Sequence, residues 1–441
     1  MEYLDEEINL DSLLFIDGLY TDVRIENNIK YIKRFREGNS TDENHFVERG
    51  AYVRVFDGFE WYDAVTTNLS QINEVIRELA TNAYITSNIH SITRKLGFPC
   101  NFFNYDNNIK LQNKINNKIK IDNNYQVEFK KHKCTFSNTE STKIFISSER
   151  SKIIQKDQWF GIDIDVVVGD YRERISATEN TCSKLINQER FAWMDDCKDN
   201  IMMAAEDHDV VEWKDNIIFS PKAMGILIHE AVGHISESDL YVSREHMEEY
   251  VKNMGEIGNQ VNIIDYGGIK RRGHYLYDDE GVQTQKTYIL KNGRFNTFLT
   301  DMEHSIKWNI PFSGNGRAVS FMHEPIVRMS NTYMLPGTVN LKNLIESLNE
   351  GILVTNIGAA SSLNGEISLE NIRGYIINKG KISKPAFIKS YKIKWYSFLR
   401  SIKTITKEFD FYDSNILGCD KENQKGLNVS MGAPYVLMNF K

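Results

Sequence analysis

The sequence predicts an α+β fold, with an N-terminal sheet-and-helix domain over residues 1–206 and a mostly β C-terminal domain over 207–441. Three observations predict it. In the first half, alternating apolar and polar residues come in groups ahead of stretches with helical spacing. A helix-start signature stands near the midpoint, at Ser220-Pro221. Beyond residue 258 the chain breaks into short strand-like pieces between glycine turns, such as Asp265-Tyr266-Gly267-Gly268, Lys291-Asn292-Gly293-Arg294 and Ser313-Gly314-Asn315-Gly316.

The elements follow in order. Residues 21–35 and 50–67 alternate as half-buried strands do, and Asp57-Gly58 reads as a hairpin turn. Residues 69–89 carry Ile72, Val75, Ile76, Leu79 and Ala80 at helical spacing. Residues 105–124 are polar and rich in Asn and Lys, an exposed connection or helix. Residues 143–176 read as strands again, and 182–206 as one or two helices. In the second half, Ser220 offers an oxygen to the free N–H groups of a helix start, and Pro221 suits the first helical position.

Of the 441 residues, 41% are hydrophobic and 26% charged, the balance of a soluble globular protein with a sizeable core. The 53 Lys and Arg against 60 Asp and Glu leave a formal charge of −7, which argues against a nucleic-acid binder with a basic face. The N-terminal MEYLDEEINL lacks the basic-then-apolar order of a secretory signal, and no apolar run approaches the ~18 residues of a membrane span. A cytoplasmic protein is expected. The five cysteines, Cys100, Cys134, Cys182, Cys197 and Cys419, are odd in number and form no C-x-x-C pair, so free thiols are expected.

One stretch carries chemistry. His229-Glu230-Ala231-Val232-Gly233-His234 resembles the zinc-peptidase pattern H-E-x-x-H, but with the histidines five positions apart instead of four. His229 and His234 supply two metal ligands, and Glu230 a base that takes a proton from water. In a regular α-helix, residues five apart point ~140° away from each other. Binding one ion therefore requires a π-type widening of the helix or an unwinding at Gly233. His208, His246, His274, His304 and His323 are weaker candidates, and His246 sits in a charged helical stretch that faces solvent.

Further blocks follow in order: Tyr277-Asp278-Asp279-Glu280-Gly281, residues 290–295 (LKNGRF), residues 313–337 and residues 418–434 (GCDKENQKGLNVSMGAP). With MGILIHEAVGHISESD, YTDVRIE and GAYVRVFDG, this set resembles the TldD/PmbA metallopeptidase family, and specifically its TldD-like catalytic branch. The likeness extends over nearly the whole chain and is strongest from residue 215 onward. It implies a third ligand, Cys419, whose thiolate suits zinc and leaves a fourth position for water. It also implies a peptide substrate, unfolded or short, including leader peptides of ribosomally made peptides. The implied assembly is a heterodimer with a PmbA/TldE-like subunit or a homodimer, with no nucleic acid and no membrane. The PmbA-like branch lacks the histidine pair that this chain keeps. Residues 356–372 depart from the family's more glycine-rich segment, in a strand the resemblance places along the substrate.

Several residues keep two readings. Glu237 is either a partner that orients a ligand or a helix-surface charge. Asp278, Asp279 and Glu280 form an acidic turn that is expected to be solvated, with a second cation site as the alternative. Asn315, Arg317 and Arg328 lie in polar loops without an assigned role. The function expected is a zinc-dependent peptidase with Glu230 as general base. The alternatives are a metal-dependent hydrolase of a small non-peptide amide and a non-catalytic partner subunit.

Overall fold

The computed structural model describes residues 10–36, 39–105, 131–168, 171–185, 209–213, 215–255, 257–258, 260–363, 365–413 and 418–440. The chain divides into two compact units, Met1–Ala205 with Ser320–His323, and Glu206–Val319 with Glu324–Lys441. The fold is α+β and mostly strand.

The first unit is built on β1 (Tyr20–Arg36), β2 (Asn39–Phe56), β3 (Trp61–Thr66), β4 (Phe102–Tyr105), β5 (Lys131–Ser147), β6 (Lys152–Val168) and β7 (Tyr171–Glu179). Their order in one sheet is β3-β2-β1-β5-β6-β4, with β7 on β6. Side chains alternate across a strand. Val23 and Ile25 of β1 therefore meet Ala51, Val53, Ile144 and Ile146, and pack against Ile72 and Ile76 of the helix Ile72–Ala80. The intervening Asp22, Arg24 and Glu26 are buried on the opposite face and neutralise internally. Arg54 Nη2 lies 2.7 Å from Asp22 Oδ2, and Arg24 Nε lies 3.0 Å from Glu26 Oε1. Arg24 Nη2 also donates to the carbonyls of Ser320 and His323, at 3.0 and 2.7 Å.

The expected hairpin stands at Asp57-Gly58, where Asp57 Oδ1 accepts from the N–H groups of Phe59 and Glu60. The helical stretch expected over 69–89 is helix only over Ile72–Ala80, and a separate helix, Ile89–Leu96, starts where that stretch ends. The reason is competition for the backbone. Thr86 N–H donates to Gly18 O at 2.9 Å, and its hydroxyl to Asp57 O at 2.6 Å, so this stretch serves the neighbouring turns instead of a helical ladder. Nearly all of the expectation for residues 105–124, and most of that for 182–206 beyond the helix Cys182–Leu185, lie outside the described residues.

The second unit contains β8 (Asp209–Val210), β9 (Asn216–Phe219), β10 (Ile263–Asp265), β11 (Thr287–Lys291), β12 (Arg294–Phe295), β13 (Gly316–Arg317), β14 (Ile326–Val327), β15 (Asn331–Met334), β16 (Glu350–Leu363), β17 (Glu366–Asn378), β18 (Lys381–Lys394), β19 (Ile402–Asp413), β20 (Cys419–Lys421), β21 (Gln424–Leu427) and β22 (Ser430–Asn439). The large sheet runs β12-β11-β10-β15-β22-β9-β16-β17-β18-β8, with β19 also on β22. The pairs β15–β22, β9–β16 and β8–β18 are parallel and the rest antiparallel. The helix Pro221–Ile228 lies against this sheet. Ala223, Met224, Leu227 and Ile228 join Phe219, Val354, Ala433 and Val436 in the main core.

Cys100, Cys134, Cys182 and Cys419 are free thiols, as expected. Among the described residues, no helix is long and apolar enough to cross a membrane.

Candidate metal centre

The centre begins with a well-made helix start. Ser220 Oγ accepts from Ala223 N–H at 3.4 Å, and Pro221 occupies the first turn. Ser220 itself is tied to β16, its N–H to Val354 O at 2.8 Å and its hydroxyl to Thr355 O at 3.0 Å. The helix is apolar nearly all round and buried accordingly. It therefore delivers His229 into the protein rather than to its surface.

At His229 the helix changes form. Residues His229–Gly233 make a π turn, closed by the His234 N–H donating to His229 O. A tight 3₁₀ turn, His234–Ser236, follows, and Glu237 is already extended. A five-residue hydrogen-bonded turn stacks residues five apart, which a four-residue turn does not. The two imidazoles consequently meet edge-to-face, with centroids 4.8 Å apart. Of the two routes expected from the spacing, the chain takes the π widening. Gly233 is not the point of unwinding, since its φ of −58° and ψ of −66° are ordinary helical values. Its reason is packing. A Cβ there would lie 1.9 Å from Met329 Sδ, inside the main core. We expect Gly233→Ala to cost about 1–3 kcal/mol by overpacking, read by denaturant unfolding, with partial recovery in Gly233→Ala/Met329→Ala. Equal stability of Gly233→Ala and the parent would remove this packing constraint.

Cys419 arrives from the other end of the chain, on the hairpin β20–β21. Gly418 before it is required by close approach, since a Cβ would meet Gly426 C at 2.3 Å. Arg328, fully buried, donates from Nη2 to the Cys419 carbonyl and so fixes the strand that bears the thiol.

Among the described residues, His229, His234 and Cys419 form a group whose possible ligand atoms all lie within 4.8 Å of one another. The donor set suits zinc. Tetrahedral Zn–N of ~2.0 Å and Zn–S of ~2.3 Å put a nitrogen and a sulfur ~3.6 Å apart, and His234 Nε2 lies 3.5 Å from Cys419 Sγ. His229 Nδ1 is buried without a hydrogen-bond partner. These two nitrogens and one sulfur would leave one zinc position for water; Glu230 and His234 are half-buried, whereas His229 and Cys419 are buried.

The two histidines and the cysteine act on one another's charge. Burial pushes the Cys419 thiol up, but His229 and His234 outweigh it and hold its pKa well below the ordinary value, in the thiolate form that binds metal. Burial disfavours a charged His234, yet Glu237 and Cys419 outweigh it and raise its pKa well above the ordinary value. Burial raises the Glu230 carboxyl, opposed by His229 and His234 and reinforced by Cys419 and Glu237.

Glu237 is not a surface charge. It is completely buried, with Oε2 3.1 Å from His234 Nδ1 and 3.2 Å from Lys421 Nζ. Burial would raise its pKa, but Lys421, His234 and Arg328 bring it down to about 2. Asp239, buried against Lys421, is pushed up to about 6 by burial, with Lys421 working in the opposite direction. Lys421 and Asp239 were missed at the sequence level. The strand period, which puts Cys419 and Lys421 on one face of β20, was the signal that pointed to the lysine.

The other candidates serve the fold. The acidic turn is neither solvated nor an open cation site. Asp278 accepts from Glu280, Val282 and Gly316 N–H, Asp279 from Ala318 N–H, and Glu280 from Met302 N–H. Asp278, Asp279 and Glu280 are 4%, 7% and 1% exposed, so these carboxylates anchor loops from inside. Asn315 donates to Asp265 and to the Arg328 carbonyl, and Arg317 to the carbonyls of Met329 and Asn428. His246 faces solvent, as expected. His274 bonds Gly267 O, His304 pairs with Asp301, and His323 bonds Ser320, while His208 lies outside the described residues. β16 passes beside the π turn and exposes Ala359 and Ser361.

The family described as the PmbA/TldA metallopeptidase C-terminal domain matches residues 214–440. A zinc metalloprotease TldD homolog of Saccharolobus solfataricus is 27% identical over 413 residues, covering 89% of each chain. A metalloprotease TldD homolog of Haemophilus influenzae is 33% identical over 218 residues, 48% of this chain and 44% of the other. Among solved structures, TldE from Thermococcus kodakarensis shares the fold with a TM-score of 0.66 at 13% identity, covering 95% of this chain and 96% of that one.

Proposed function

The chain belongs to the PmbA/TldD metallopeptidase family, and from that premise we propose that it is a zinc-dependent peptidase acting on unfolded or short peptides. The observation that carries the reading is the convergence of His229, His234 and Cys419 on one point with Glu230 beside it. His229, His234 and Cys419 hold the metal. Zinc, when bound, supplies Lewis-acid polarisation of a peptide carbonyl and acidifies water. Glu230 takes the proton of the attacking water and returns it to the leaving amine nitrogen. Its burial-raised proton affinity suits both halves of that task. The open side at Glu230 and His234 admits the substrate, and β16 is the strand along which we place the peptide.

Leader peptides of ribosomally made peptides fit this substrate class, because they are short and unstructured. The family resemblance supports an assembly of two chains, either with a PmbA/TldE-like subunit or with a second copy of this one. A cytoplasmic site of action belongs to the same proposal.

The test is mass spectrometry of an unstructured peptide incubated with the purified chain, with and without chelator and with and without a TldE-like partner. Fragments that disappear with chelator are expected. No cleavage in any arm overturns the peptidase reading. Metal-dependent turnover of small amides with none of peptides favours the metabolite hydrolase, and a chain that takes up no zinc favours the non-catalytic partner subunit.

A further inference from the structure

We propose that Lys421 is a positioning residue of this centre: its ammonium clamps Glu237 and Asp239 together, and through Glu237 it sets the His234 ring for the metal. The inference deepens the reading of the centre as a zinc site and rests on it.

The ligands come from two segments far apart in sequence, and something must hold them in register. Hydrogen bonds of the main chain secure each segment separately. The Glu237 segment is fixed to Leu299, with Ser238 N–H to Leu299 O at 3.0 Å and Leu299 N–H to Ser236 O at 2.8 Å. The Cys419 segment is fixed to β21 and to Arg328. Lys421 runs between the two. Lys421 Nζ lies 2.6 Å from both oxygens of Asp239, 2.9 Å from Val327 O and 3.2 Å from Glu237 Oε2. An ammonium has three N–H bonds, and these oxygens use all of them. Asp239 Oδ2 in turn accepts from Val327 N–H at 3.2 Å, so β14 is bound into the same knot.

The consequence falls on His234. Glu237 Oε2 is shared between Lys421 and His234 Nδ1. A carboxylate that accepts from Nδ1–H leaves the other ring nitrogen free to ligate, and Nε2 is the atom that faces Cys419 Sγ at 3.5 Å. Glu237 is buried completely, so this contact is shielded from water. Without a cation beside it, Glu237 and Asp239 are two buried carboxylates that repel each other. Lys421 also shares a face of β20 with Cys419, so the residue that aligns His234 is rigidly connected to the third ligand. A compact ammonium fits among these acceptors, whereas the planar fork of arginine does not reproduce the arrangement.

The experiment uses Lys421→Met and Glu237→Gln, singly and together, in the full chain. It reads the zinc dissociation constant by chelator competition and the visible absorption of the cobalt-loaded protein. We expect each single change to weaken zinc binding by about 10–100-fold and to alter the cobalt spectrum. The double variant is expected to be no weaker than the weaker single one, because the contacts act in series. Lys421→Arg, which retains the charge, carries the same test if Lys421→Met does not fold, and is expected to bind zinc more weakly than the parent. A lysine serving only the hairpin would lower the melting temperature and leave both metal readouts unchanged. Unchanged affinity and spectrum in the folded variants, or losses that add independently, overturn the proposal. An unsubstituted chain that takes up no zinc overturns the reading of the centre itself, a result distinct from either.

Discussion

Glu230→Gln is expected to abolish most peptide hydrolysis while leaving about one zinc bound per chain. General acid–base groups contribute about 10²–10⁴-fold, which corresponds to ~3–5 kcal/mol at 1.36 kcal/mol per decade. The amide keeps the size and shape of the side chain, so the π turn His229–Gly233 and its neighbours have no reason to rearrange. What it loses is the ability to carry a proton from water to the leaving nitrogen. Glu230 is half-buried beside His229, His234 and Cys419, and its charge interacts with all three. Removing one negative charge there alters zinc affinity modestly, because none of the three ligands is changed. The loss should therefore appear in kcat, with KM little affected. Kinetics on a peptide that the parent cuts, paired with metal analysis of the same preparation, check it. A Glu230→Gln chain of full activity would falsify the role of Glu230 as base.

The centre was legible in the sequence to the extent that its chemistry is local. Ser220-Pro221 marks a helix start whatever surrounds it, and His229 and His234 lie close enough for spacing alone to demand a departure from the regular α-helix. Which remedy the backbone takes is not local. Gly233 looks like a place to unwind, but its lack of a side chain accommodates Met329, a residue distant in sequence. The acidic turn shows the same limit. Three consecutive carboxylates read as solvated until the N–H groups of Met302, Gly316 and Ala318 are known to point at them. The helix expected through residue 89 fails because Gly18 and Asp57 offer the backbone of Thr86 better partners than a helical ladder does. Cys419 stands far along the chain, and only resemblance to a family connected it with the histidines. Lys421 was within reach, since two residues apart on a strand means one face.

Cys419→Ser is expected to lose the metal while keeping the fold. A serine hydroxyl is close to the thiol in size, and the contact that holds this strand, from Arg328, goes to the main-chain carbonyl and is indifferent to the side chain. Folding should thus be nearly unaffected. Metal binding should not, because serine remains protonated near neutral pH and the ligand form is the anion. In the parent the imidazoles of His229 and His234 hold Cys419 in its thiolate form against the effect of burial, so the thiol is prepared to bind. Structural zinc sites bind with about 10–16 kcal/mol. Shared among three or four ligands, that is roughly 3–5 kcal/mol for each, or at least a 100-fold loss of affinity for the missing sulfur. Dialysed Cys419→Ser should then retain far less than one zinc per chain and show metal-dependent cleavage only in excess zinc. Cys100→Ser, at an exposed thiol outside the cluster, is the control and should retain zinc and activity. A Cys419→Ser chain that holds zinc as tightly as the control would mean that the histidines find their third ligand elsewhere, and would remove Cys419 from the centre.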